Sequence, residues 1–182
     1  MAKVLVTGGA GFIGSTVVRK CLDSGHEVVV LDNLSSGSKK VLENLESLGV
    51  KAIIGDIRDS ESVINAIQGC DAVVHFAAQI SVPSSIEYPQ ENNSINIEGT
   101  QLILNYCKKF NVKRVVIASS AAVYGQEDRL PLKEETAGDL LSPYAESKWE
   151  NEQQIIASRL NGQNAVALRF FNVYGPGQRA EG

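Results

Sequence analysis

The sequence predicts a doubly wound α/β fold, a parallel sheet of about six strands with helices on both faces. Three observations carry this expectation. Short, continuous apolar runs alternate with helical periodicities along the chain. The first run passes directly into a glycine cluster, a junction that such folds place between strand and helix. And 182 residues, 43% hydrophobic and 21% charged, suit one globular domain over residues 1–182.

Residues 3–7 (Lys-Val-Leu-Val-Thr) are an apolar run that ends at glycines and reads as a buried strand. Over 12–24, Phe12, Ile13, Val17, Val18, Cys21 and Leu22 fall at helical spacing, closed by Gly25. Residues 27–32 (Glu-Val-Val-Val-Leu-Asp) are short and β-branched, a second strand. A helix over 38–48, a strand over 51–56, a helix over 60–68 and a strand over 71–76 continue the pattern. A long helix spans 89–110, a strand 113–119, a last helix 143–160 and a sixth strand 165–170. Right-handed crossovers then give the strand order 3-2-1-4-5-6. Residues 77–88 and the acid-rich 125–141 are expected as loops at the C-terminal ends of strands, where open α/β sheets bind ligands. Each serves either as a lid or as a solvated connector.

Seventeen Lys and Arg stand against 21 Asp and Glu, a net charge of −4 that argues against a general nucleic-acid binder. No apolar run approaches the length that spans a bilayer, and residues 1–7 lack the apolar core of a signal peptide. Cys21, Cys70 and Cys107 follow no metal or redox spacing, so no metal and a reduced, cytoplasmic setting are expected.

The motif Thr7-Gly8-Gly9-Ala10-Gly11-Phe12-Ile13-Gly14 sits at the first strand–helix junction. Glycines at 8, 11 and 14 let the backbone approach a pyrophosphate, which then faces the amides of the helix N-terminus. A close helix–strand contact needs glycines too. Asp32, eighteen positions after Gly14 and closing the second strand, decides for a dinucleotide, since its carboxylate can accept from the adenosine ribose hydroxyls. A carboxylate there repels a 2′-phosphate, which favours NAD over NADP. Asp56-Ile57 ends the third strand, either bordering the adenine or capping the strand end.

Tyr144 and Lys148 stand one turn apart at the start of the last helix, with Ser142 as its N-cap and Pro143 in its first turn. A free phenol of pKa about 10 is only about one part in a thousand ionised at pH 7. Lowering it by about 3 units takes roughly 4 kcal/mol, which an ammonium and the positive charge of an oxidised nicotinamide can supply in a desolvated site. Tyr144 is then a general base for a hydroxyl whose carbon gives up hydride. A bare Tyr-x-x-x-Lys pair is common on helix surfaces; its place after a complete nucleotide turn gives it weight. Ser119 and Ser120 end the fifth strand, where a hydroxyl either donates to the same sugar oxygen or satisfies the strand-end backbone.

With these elements the chain resembles the extended short-chain dehydrogenases/reductases, and most closely the UDP-glucose 4-epimerase-like NDP-sugar epimerases. The resemblance runs from end to end. It is carried by residues 7–14, Leu31-Asp32-Asn33-Leu34, Gly55-Asp56-Ile57-Arg58, His75-Phe76-Ala77-Ala78, Asn96-Ile97-Glu98-Gly99-Thr100, residues 119–125 and 144–148, and Arg169-Phe170-Phe171-Asn172. It implies a Rossmann fold in which Gly8, Gly11, Phe12, Ile13 and Gly14 line the pyrophosphate turn. Asp32 and Asn33 would hold the adenosine ribose, with Asp56 and Ile57 beside the adenine. Phe76, Ala77 and Ala78 would lie along the cofactor, with Asn96 behind it and Ser119 nearby. Of the two strand-end serines, the resemblance implies Ser120 as the donor to the sugar oxygen. Lys148 would grip the nicotinamide ribose, Phe170 would approach the nicotinamide, and Asn172 would contact the phosphate end of the sugar nucleotide. For Phe76 and Phe170 core packing is the equal alternative.

The 4,6-dehydratases of this family carry an acidic residue after the strand-end Ser/Thr, where this chain has Ala121 and Ala122. The implied reaction is therefore epimerisation at C4 of a UDP-hexose by transient oxidation, with Tyr144 as base, Ser120 and Lys148 assisting, and NAD regenerated each cycle. The family's C-terminal segment, which builds much of the nucleotide-sugar pocket, is expected to begin where this sequence stops. A cofactor-binding scaffold without turnover and a one-way dehydrogenase are the rival readings. The resemblance also implies a homodimer through the helices at 89–110 and 143–160.

Overall fold

The computed structural model describes residues 1–178, so the last four residues of the expected 1–182 domain lie outside the described residues. Six parallel strands form one sheet: β1 (Lys3–Thr7), β2 (Glu27–Asp32), β3 (Lys51–Ile54), β4 (Ala72–His75), β5 (Arg114–Ser120) and β6 (Ala165–Phe170), in the order β3-β2-β1-β4-β5-β6. The register sets Leu5 opposite Val29 and Val73, and Ile117 opposite His75 and Ala167.

Alternation along the strands sorts side chains onto two cores. Val4, Val6, Val28 and Val30 face α1 (Phe12–Asp23) and α2 (Lys39–Glu46) with Val18, Leu42 and Leu45. Leu5, Val29, Leu31, Val73, Val115 and Ile117 face the opposite helices with Val63, Ile67, Ile103 and Ile155. Those are α3 (Ser60–Ile67), α6 (Gly99–Lys109) and α7 (Pro143–Leu160). Each such buried side chain contributes about 1.5–3 kcal/mol over its exposed state. These two cores make the sheet a rigid platform whose C-terminal edge carries the loops of interest.

Two departures from the sequence expectation lie beside that edge. The stretch 77–88 is not a loop throughout: it holds α4 (Val82–Glu87), capped by the Ser81 hydroxyl and carrying Pro83 in its first turn. The expected helix 89–110 runs on to Lys109 but carries a π-helical turn (Ser94–Glu98) between α5 (Pro89–Asn93) and α6. A π turn leaves carbonyls without regular partners. Here α7 supplies them, Asn151 Nδ2 donating to Asn96 O at 2.7 Å and Gln154 Nε2 to Ile97 O at 3.1 Å. The third strand also ends at Ile54, before Asp56. Among the described residues no helix is long and apolar enough to cross a membrane.

Candidate functional site

After β1 the chain turns through Gly8 at φ 69°, a left-handed conformation that glycine enters without strain. A Cβ on Gly8 would stand 2.7 Å from the Ala77 nitrogen, and one on Gly14 would overlap the Gly8 carbonyl. The turn is thus packed against the end of β4 on one side and α1 on the other. Gly11 donates to Gly8 O at 3.1 Å and leads into α1, where Phe12 and Ile13 are half-buried. No side chain caps α1, and no acidic residue stands in its first turn. The positive end of its dipole therefore faces the turn uncompensated, which suits a pyrophosphate.

Asp32 is buried, and both carboxylate oxygens accept backbone amides: Oδ2 from Ala10 at 2.8 Å and Oδ1 from Leu34 at 2.8 Å. It ties β2 to the glycine turn, and each oxygen keeps a second lone pair beyond its backbone amide. Asn33 donates to Asp56 Oδ2 at 3.1 Å. Asp56 also takes a bidentate pair from Arg58, which holds its carboxyl down at about 2, against its own partial burial. Asp32, Asn33 and Asp56 thus form one edge of the site. Ile57 differs: its side chain is buried in the core, where its δ carbon lies close against Gly99, so only its backbone borders that edge.

At the end of β4, His75 Nδ1 lies 2.6 Å from Thr7 Oγ1 and Nε2 3.0 Å from Thr100 Oγ1. Burial, helped by the nearby Lys148 charge, pushes this imidazole down to about 3, so it is neutral. Thr7 Oγ1 also accepts from Ala77 N at 3.2 Å, locking the backbone that follows. Phe76 leads toward the sheet's other half, its ring 6.1 Å from that of Phe170, and Ala77 and Ala78 are half-buried beside it. Asn96, in the π turn, exchanges two bonds with Gln79: it accepts from Gln79 N at 2.8 Å and donates to Gln79 O at 3.0 Å. It also donates to Ser147 Oγ at 3.0 Å. Asn96 therefore sits behind this segment and joins it to the last helix.

Ser142 caps α7 by accepting from Ala145 N at 3.1 Å, and Tyr144 N donates to Ser85 Oγ of α4 at 3.2 Å. Tyr144 and Lys148 share one face, with the ammonium 5.8 Å from the ring centre. Lys148 is buried and donates to Ala118 O at 3.0 Å; burial pushes it down to about 8. Burial raises the Tyr144 phenol, and its hydrogen bond with the Ser120 side chain pulls it back. Ser120 Oγ also accepts from Ala122 N at 3.1 Å, which fixes its rotamer at the strand end. Phenol, hydroxyl and ammonium thus converge at the ends of β5 and α7. The net effect holds the phenol above its ordinary value, so it takes a proton only where a further positive charge stands beside it.

Ser119 goes elsewhere. It is buried, and its hydroxyl donates to Glu152 at 2.5 Å, as alternation along a strand dictates once Ser120 faces the cleft. Glu152 in turn receives a fork from Arg169, Nε to Oε1 and Nη2 to Oε2, both 2.8 Å. Sequence reading passed over Glu152, although it stands one turn beyond Lys148 on the same stripe of α7. It also gave no place to the His75 pair of threonines or to Ser85. Asn172 lies exposed just beyond β6.

Comparison with known proteins follows the same lines. The model of the NAD dependent epimerase/dehydratase family matches residues 4–182. A putative UDP-glucose 4-epimerase of Methanocaldococcus jannaschii is 41% identical over 181 residues, covering 98% of this chain and 58% of that protein. The UDP-glucose 4-epimerase of Lactobacillus helveticus is 39% identical over 95% of this chain and 52% of its own. Among solved structures, the UDP-N-acetylglucosamine 4-epimerase of Methanobrevibacter ruminantium, in complex with UDP-N-acetylmuramic acid, superposes with a TM-score of 0.93. It is 38% identical and covers 100% of this chain and 58% of that one. The Thermus thermophilus UDP-glucose 4-epimerase, in complex with NAD, gives 0.88 at 40% identity over 97% of this chain and 57% of its own. This chain thus spans little more than half the length of these relatives.

Proposed function

This chain belongs to the NAD dependent epimerase/dehydratase family, and from that premise we propose that it is the cofactor-holding and proton-handling portion of a UDP-sugar 4-epimerase. The observation that carries the reading is the convergence of Ser120, Tyr144 and Lys148 on the sheet edge that also holds the glycine turn and Asp32. The uncapped end of α1 and the second lone pairs of Asp32 fit a dinucleotide. Gly8, Gly11, Phe12, Ile13 and Gly14 hold its pyrophosphate, Asp32 and Asn33 its ribose, with Asp56 and the Ile57 backbone at the adenine. Phe76, Ala77, Ala78 and Phe170 flank its reactive end, and Lys148 reaches its second ribose. NAD, when bound, supplies a reversible acceptor of hydride.

The chain's own residues handle the proton. Tyr144 takes it from the sugar 4-hydroxyl and later returns it, Ser120 donates a hydrogen bond to the same oxygen, and Lys148 stabilises the phenolate. Ala121 and Ala122 offer no acid after Ser120, which favours epimerisation over elimination of water. Asn172 stands toward the nucleotide-sugar phosphates. Two copies pair through α5, α6 and α7, where Ile156 and Leu160 are exposed and Leu102, Tyr106 and Trp149 half-buried; light scattering showing a monomer at micromolar concentration removes that part.

A proton NMR time course with NAD⁺ and UDP-galactose tests the reading. It expects UDP-glucose signals that vanish in Tyr144→Phe, with no net NADH. Steady NADH release would point to a one-way dehydrogenase instead. Broadened nicotinamide lines beside unchanged sugar would confine the chain to cofactor binding.

A further inference from the structure

Behind the catalytic stripe lies a closed ionic cluster that the proposed chemistry does not use. Glu152 and Arg169 form a fork–fork pair with side chains only 11% and 10% exposed. Both carboxylate oxygens are engaged by Arg169, and Oε1 also accepts a hydrogen bond from the Ser119 hydroxyl. Arg169 is held from its other sides: its guanidinium lies 4.6 Å from the Tyr124 ring centre, and Nη1 donates to Thr136 O at 2.6 Å. The pair therefore joins α7, β5, β6 and the stretch 125–141 at one point.

Its place on α7 matters more than its strength. Tyr144, Lys148 and Glu152 follow at intervals of four, and such neighbours on a helix stand about 5–6 Å apart at Cβ. A free carboxylate at Glu152 would turn to the buried ammonium and cancel its field at Tyr144. The structure shows the opposite arrangement. Lys148 donates to the neutral Ala118 carbonyl, and among the described residues no carboxylate pairs with it. We propose that Arg169 and Glu152 are positioning residues that close on each other, so that the carboxylate does not neutralise Lys148 and the ammonium acts on the Tyr144 phenol. This rests on the reading of Tyr144 as the base.

The other groups near the stripe do not replace this device. His75 from β4 is neutral, Ser120 from β5 carries no charge, and Tyr124 is buried under Arg169. Glu87 of α4, Glu91 of α5 and Glu98 of the π turn are exposed, as are Glu146, Glu150 and Arg159 on α7. Lys108 and Lys109 of α6 and Arg114 of β5 are exposed as well.

A simple brace and a charge closure differ in sign. The Lys148 amine, which titrates at about 8 and so before the phenol, is followed by NMR on the chain carrying ¹³Cε-labelled lysine, its signal identified by Lys148→Met. Glu152→Gln leaves an unpaired guanidinium and should lower the Lys148 pKa by about half a unit or more. Arg169→Gln leaves an unpaired carboxylate and should raise it by a similar amount. The double variant, balanced in charge, should return near the wild type, as should Arg169→Lys. Shifts of the same sign in both single variants, or none in either, overturn the proposal. If one single variant does not fold, as loss of one partner of a buried pair can cause, the other compared with the double variant gives the same sign test. The titration needs neither cofactor nor turnover, so its failure and a failure of the epimerase reading stay distinguishable.

Discussion

Lys148→Met should make this chain more stable at neutral pH. The wild-type lysine is buried, and burial lowers it from 10.5 to about 8. That gap of roughly 2.5 units is worth about 3 kcal/mol of cost for holding the charge inside. One hydrogen bond to Ala118 O offsets it in part, by about 1 kcal/mol. Methionine removes the charge and keeps the stem's packing, so a net gain of about 2 kcal/mol is expected at pH 7. The pH dependence is the sharper signature. Because the folded pKa lies below the unfolded one, the unfolded chain holds a proton that the folded chain gives up between about 8 and 10.5. Wild-type stability therefore gains from this group as pH rises through that window, and the penalty is fully present below it. Urea unfolding at pH 7 and pH 10 should show the variant's advantage shrinking by about 2–3 kcal/mol. Other groups titrate at pH 10, but they do so in both proteins and cancel in the difference. A variant less stable at pH 7, or one whose advantage does not change with pH, would refute the reasoning. A lysine that costs stability where it sits is kept for its chemistry.

Three further outcomes follow from the same geometry. His75 is held at about 3 in the fold against 6.5 unfolded, so stability is lost as pH falls from about 6.5 towards 3; His75→Gln should flatten that limb in acid unfolding curves. Asp32→Asn replaces an acceptor of two backbone amides by a group with one acceptor oxygen, which should cost about 1–3 kcal/mol in thermal or urea unfolding. The same change should weaken NAD binding at least tenfold by calorimetry, and unaltered affinity would remove Asp32 from the ribose. Gly8→Ala places a Cβ against the Ala77 backbone at positive φ, so it should lose about 1–3 kcal/mol of stability and most NAD affinity.

Much of this was legible in the residues. Continuous runs such as Val28-Val29-Val30-Leu31 have one sensible home, a strand buried on both faces, and they bring Gly8, Asp32 and Ser120 to one edge whatever the loops do. Side chains that act across long separations were not legible. The π turn is held by Asn151 and Gln154 reaching back 55 and 57 residues to its carbonyls, which no local periodicity records. Helix α4 was written in its own cap, Ser81 followed by a proline, but six residues are too few for a periodic signal. Ser119 and Ser120 look alike in sequence; alternation gives one to Glu152 and the other to Tyr144. Glu152 was hidden because a carboxylate on a long helix reads as a solvated face until Arg169, seventeen residues on, is seen against it.

The central claim, that the glycine turn and Asp32 hold NAD beside Tyr144, is tested most directly by following the nicotinamide proton lines of NAD⁺ as the chain is added. The account predicts broadening and shifts that saturate with the wild-type chain, that persist in Tyr144→Phe and that vanish in Gly8→Val. Lines that stay sharp with the folded wild-type chain at millimolar NAD⁺, or that broaden equally with Gly8→Val, would contradict it.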